Sequence, residues 1–86
     1  MDFDTVTSRV AQLLSLPVEA VRRRDKTPQS VMARRLICHF AHNELGLSTV
    51  AIARRLNINQ SVVSRAARQG RLIAEEGHYD LDDVKT

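Results

Sequence analysis

The stretch from Leu47 to Gly70, LSTVAIARRLNINQSVVSRAARQG, constrains the fold of this chain more than any other. It spells two short amphipathic helices joined by a tight turn. In the first, Val50, Ala51, Ile52, Ala53 and Leu56 are apolar, and Arg54 and Arg55 face away from them. The turn is Asn57-Ile58-Asn59, where Asn57 tolerates the left-handed backbone that closes a helix and Ile58 can plug a core. In the second helix Val63, Ala66 and Ala67 face inward. Gln60, Ser61, Ser64, Arg65 and Arg68 share the opposite side at i, i+3 and i, i+4 spacings. Small Ala53 stands before the turn where the two helices must approach closely, and Val63 after it supplies a core anchor. This is the pattern of a helix-turn-helix, whose second helix is shaped for the DNA major groove.

The rest of the chain also reads as helical. A first helix is expected from about Thr5 to Leu14, with Asp4 as N-cap and Phe3, Val6, Val10, Leu13 and Leu14 as its apolar stripe. A short second one follows from about Pro17 to Arg22, carrying Val18 and Val21. The basic loop Arg22-Arg23-Arg24-Asp25-Lys26 leads to a long third helix, capped by Thr27, with Pro28 at its first position and Gly46 after its end. Val31, Leu36, Ile37, Phe40, Ala41, Glu44 and Leu45 set its register, and Arg34 and Arg35 project near its start. Ser48 and Asn59 are the N-caps of the two helices in the turn motif. The last helix can run through Gly70 to about Glu76, with Leu72 and Ile73 as a final apolar pair. Gly70 costs it roughly 1 kcal/mol relative to alanine, which makes a break or bend there the expectation. The fold class is all-α, a small helical bundle over residues 1–76 with the helix-turn-helix at 48–69. The acidic segment 77–86 is expected to fray.

Charge narrows the partners. Between Arg22 and Arg71 eleven Lys or Arg oppose only Asp25 and Glu44, a local net charge of +9 in a chain whose total is +3. Such a field favours polyanions through counterion release. All but two of the thirteen basic residues are arginine, which grips phosphate and guanine bidentately. Only Phe3, Phe40 and Tyr79 are aromatic, and none lies in the basic region. Single-strand binders stack bases on aromatic platforms, so the expected partner is double-stranded DNA, the alternative being a protein-interaction module or a nonspecific nucleic-acid binder on the same helix-turn-helix fold.

Other chemistries find little support. Cys38 and His42 are four apart on one helix and can touch one metal, but no further cysteine exists to complete a site, so packing is the preferred reading. There is no phosphate-cradling glycine loop and no nucleophile–base set. An enzyme is not expected, and neither is a cofactor. One cysteine forms no internal disulfide, no apolar run approaches a membrane span, and the N-terminus carries acids where a signal peptide is basic. The expected setting is the cytoplasm, at the nucleoid.

With the helix-turn-helix, the long helix before it and the basic loop in this order, the chain resembles the C-terminal DNA-binding domain of the bacterial replication initiator DnaA. The resemblance runs from about Val6 to Glu76. Its carriers are VAQLLSLPVEAVRRRDK, the ARR and HNELGLS parts of the long helix and its exit, VAIARRLN and SVVSRAAR. It implies a small bundle of that domain's kind, a loop residue entering the minor groove and a recognition helix in the major groove. The minor-groove position falls on Arg24 or Lys26, beside Arg23, and Arg35 matches a family arginine that contacts phosphate. The family's Asp-His-Thr-Thr signature is replaced here by Asn59, Gln60, Ser61 and Val62, which implies a different target box. In this variant form the chain is similar to domains attached to REP-associated tyrosine transposases, where a separate catalytic domain would be covalently joined. The expected DNA contacts are therefore Arg23, Arg24, Lys26, Arg34, Arg35, Ser48, Asn59, Gln60, Ser61, Ser64, Arg65 and Arg68. Asn59 and Gln60 are suited to base edges, Arg65 to guanine, and Ser64 and Arg68 to phosphate.

Overall fold

The computed structural model describes residues 2–22 and 26–81, and among them five helices and no strand. They are α1 (Phe3–Leu13), α2 (Val18–Arg22), α3 (Pro28–Leu45), α4 (Thr49–Leu56) and α5 (Gln60–Gly77). None of them is long and apolar enough to cross a membrane.

The architecture follows from α3, which is buried on two sides. Ala33, Leu36, Ile37 and Phe40 meet Val6 and Val10 of α1, Ala74 of α5 and Leu81 in one cluster. Cys38 and Ala41 meet Ile52 and Ala53 of α4 and Val63 and Ala66 of α5 in a second. Phe3 packs against both clusters and ties them into one body. Burial of these side chains, each worth about 1.5–3 kcal/mol for a Val, Leu, Ile or Phe, holds α3 as the axis on which the other helices lie.

Local chemistry sets the ends of the helices. Thr27 Oγ1 accepts from the Ser30 amide at 3.2 Å, Pro28 opens α3, and Gly46 closes it at φ 67°. Ser48 Oγ accepts from the Ala51 amide at 3.1 Å and starts α4. Asn57 ends α4 in the left-handed region at φ 56°, and the Ile58 amide returns to the Ala53 carbonyl at 3.0 Å. That bond swings Ile58 down against the second cluster.

Several expectations give way to tertiary geometry. The cap of α1 is Asp2, not Asp4: both the amide and the hydroxyl of Thr5 donate to Asp2 Oδ1 at 2.8 Å, which holds this carboxyl below its usual range. Asp4 is then free to meet Arg55 of α4 at 3.1 Å, and the Arg55 guanidinium lies 5.0 Å from the Phe3 ring centre. Glu44, Val50 and Leu72, read as part of apolar faces, are exposed. Gly70 does not break α5. It is buried where α5 crosses α3, and a Cβ there would stand 2.0 Å from the Arg35 carbonyl oxygen.

The helical body also extends beyond residue 76. His78 takes a left-handed backbone at φ 55°, and the Tyr79 amide bonds the Ala74 carbonyl at 2.9 Å. This turn brings the chain back, with Tyr79 half-buried and Leu81 1% exposed in the first cluster. The expected fraying therefore does not apply to residues 77–81.

Candidate nucleic-acid interface

The α4–turn–α5 unit is anchored from behind by Ile52, Ala53, Val63 and Ala66, which are all buried. With one side of α5 fixed in the core, helical periodicity forces the other side outward. Gln60, Ser61, Ser64, Arg65 and Arg68 are all exposed and form a polar and basic row that starts at the first residue of α5, with exposed Val62 next to it. None of these positions is charged negatively, and the first acidic residue of α5 is Glu75, where it accepts from Arg71 at 3.1 Å.

Two side chains at the head of this row differ in their freedom. Asn59 occupies the N-cap position, but its side chain makes no cap hydrogen bond, so its amide is not committed to holding the helix. Gln60 Nε2 donates to Thr49 Oγ1 of α4 at 2.8 Å. A primary amide has two N–H donors and one carbonyl acceptor, so this bond orients Gln60 and leaves one donor and the acceptor available. Ser48, by contrast, accepts the Ala51 amide in capping α4, and keeps its O–H donor and one lone pair.

The basic residues ahead of α4 divide into two places. Arg35 is half-buried on α3 and its carbonyl lies directly beneath Gly70, so its backbone is fixed against α5. Arg34 instead lines a cleft with Arg22, Arg54 and Arg55, to which α5 contributes nothing. The adjacent pair is thus split: Arg34 lines the cleft, and the Arg35 backbone packs under the buried face of α5 at Gly70. Lys26 is exposed just ahead of α3. Arg23 and Arg24 lie outside the described residues.

On the other side of α3, His39, His42 and Asn43 face Ser64, Arg68 and Arg71 across a cleft of about 740 Å³. Sequence reasoning assigned these α3 residues no role beyond packing. The signal was available: positions 39, 42 and 43 form one i, i+3, i+4 stripe on the long helix. His39 Nδ1 accepts from the Asn43 amide at 2.9 Å, and partial burial with the Arg71 charge nearby lowers its pKa. Its ring is therefore neutral at pH 7. His42 Nδ1 lies 2.9 Å from the Leu47 carbonyl, which makes it the protonated nitrogen and fixes the exit of α3. Both rings contribute hydrogen-bonding groups to the rim of a wall made basic by Arg68.

Cys38 is on the opposite footing. It is fully buried in the second cluster, and burial pushes its thiol up to about 11. A thiol held protonated and covered reacts slowly. The native protein is expected to resist an aromatic disulfide reagent at pH 8 at least about a hundredfold longer than the denatured chain. Because the folded thiol titrates higher than the free one, its contribution to stability is complete below pH 9.0 and is lost as pH rises towards 11. Equal labelling rates in native buffer and in denaturant would show that this core is open.

Compared with known proteins, no family model matches the chain, and neither does any curated protein or solved structure.

Proposed function

We propose that this chain is a sequence-reading, duplex-DNA-binding domain in which α4 and α5 act as a helix-turn-helix. The observation that carries the reading is the exposed row on α5, polar and basic from its first turn and backed by a fully apolar anchor. A helix presented in this way fits the major groove, with its N-terminal residues at base edges. Gln60, oriented by Thr49, keeps the donor and acceptor needed for N7 and N6 of adenine. Arg65 suits O6 and N7 of guanine, and exposed Val62 suits a thymine methyl. Ser61 and Asn59 serve base edges beside them, while Ser64, Arg68, Arg35 and the Ser48 hydroxyl serve phosphates. The loop from Arg22 to Lys26 grips the backbone or an adjacent minor groove. The resemblance to the initiator's DNA-binding domain agrees with this division of labour. Asn59-Gln60-Ser61-Val62 in place of its signature points to a different box, as suits a docking domain for a separate catalytic unit.

The test is selection of duplexes from a random library, followed by measured affinities for the enriched site. Arg65→Ala is expected to lose about 1–3 kcal/mol on that site and to relax preference at one base pair. Arg35→Ala should weaken all sequences alike and reduce the salt slope by about 1. Enrichment of no motif, or affinity independent of salt, would refute the proposal.

A further inference from the structure

The cleft that holds Arg34 is a second basic site, separate from the α5 row. It has a volume of about 430 Å³, within the range of small-molecule sites. Arg22 from the end of α2, Arg34 from α3, and Arg54 and Arg55 from the last turn of α4 converge on it. Three helices thus contribute four arginines to the lining of one concavity, a concentration of positive charge that favours an anion there. The one carboxylate in the lining, Asp4, already holds Arg55. No ion pair to Arg22, Arg34 or Arg54 exists among the described residues.

Beside Thr7, whose hydroxyl donates to the Phe3 carbonyl at 3.0 Å, the remainder of the lining is apolar. Phe3, Val21, Ile37 and Leu56 form it, with Ile37 rooted in the first core cluster. In a duplex the flat faces of the bases are stacked on one another and are not free to lie on such a surface. A ligand that fills both parts carries several negative charges at one end and a flat, weakly polar body at the other. Guanidiniums bind phosphate oxygens bidentately and also stack on planar rings. We infer that this cleft binds a nucleoside oligophosphate, with the phosphates on Arg22, Arg34 and Arg54 and the base over the apolar wall. The inference is independent of DNA recognition by α5.

Calorimetric titration of the full chain with adenosine triphosphate near 150 mM salt tests it, with inorganic triphosphate and a duplex oligonucleotide as parallel probes. The expected result is one nucleotide per chain, bound more tightly than inorganic triphosphate. Arg34→Gln with Arg54→Gln should weaken nucleotide binding at least tenfold and change duplex affinity less than threefold. Arg65→Gln with Arg68→Gln removes the same charge from α5 and should leave nucleotide binding within twofold. Should the first pair lower the melting temperature, Arg54→Gln alone, at an exposed position with no part in the DNA contacts, makes the same test. Equal weakening by the α5 pair would mean a diffuse field and overturn the proposal. So would inorganic triphosphate binding as tightly as the nucleotide, or a parallel tenfold loss of duplex affinity in the cleft variants.

Discussion

Gly70→Ala is expected to lower the stability of the domain by about 3 kcal/mol, which for a chain of this size is a fall of roughly 15 °C in melting temperature. Two effects of opposite sign compete at this position. Alanine in a helix interior is favoured over glycine by about 1 kcal/mol, and α5 is unbroken through residue 70. Against this, the new methyl would stand 2.0 Å from the Arg35 carbonyl oxygen, 2.5 Å from its carbon and 3.0 Å from the His39 Cβ. The first two are backbone atoms within α3, which cannot rotate aside as a long side chain would. The two helices must separate, and Ala74 and Val63 on either side of the crossing lose contact with the α3 clusters. Packing loss therefore outweighs propensity. Thermal unfolding followed by circular dichroism decides the matter, since a higher melting temperature for the variant would mean that α5 does not sit on Arg35. The same displacement moves the Arg35 backbone away from α5, so duplex affinity should fall with stability.

This position also marks the boundary of what the sequence makes legible. Features fixed by neighbours within a few residues can be read directly: the Thr27 and Ser48 caps, Pro28, the left-handed Gly46 and Asn57, and the apolar anchors Ile52, Val63 and Ala66. Each depends on local hydrogen bonding or on helical period. Gly70 reads as a weak point by the same local rules, because nothing in its neighbourhood reveals the helix that will press against it. Arg34 and Arg35 look like one basic patch in the sequence. Consecutive helix positions differ by 100° in direction, and only the placement of α1, α2 and α4 assigns one of them to a separate cleft. Asp2 and Asp4 raise a similar ambiguity, since either can cap a helix. The structure resolves it because Asp4 has Arg55 within reach, and Asp2 has Thr5. The row on α5 was legible as a row. What was not legible is that Gln60 is bound to Thr49 and Asn59 is not used in capping, since both depend on the angle between α4 and α5.

Leu81→Ala is expected to cost about 2–5 kcal/mol, although the residue lies in a segment whose composition suggests a solvated tail. Leu81 is 1% exposed and belongs to the cluster built on Val6, Leu36 and Phe40. It reaches that cluster through a helix end with specific geometry. His78 turns left-handed, the Tyr79 amide closes on Ala74, and the chain reverses direction beneath α5. The Tyr79 ring then lies over Gly77, where a Cβ would stand 2.4 Å from ring atom Cε2. An apolar residue just beyond a left-handed helix end commonly packs back on the last turns, and Tyr79 and Leu81 are the apolar residues of the segment 78–81. A chain shortened to residue 76 should accordingly lose as much stability as the point variant or more, because it removes the turn along with the side chain. If Leu81→Ala melts within 1–2 °C of the parent, the segment contributes nothing and the domain ends with α5. A clear loss makes residues 78–81 the cover of the α1–α3–α5 core, and any fragment used to study DNA binding must then retain them.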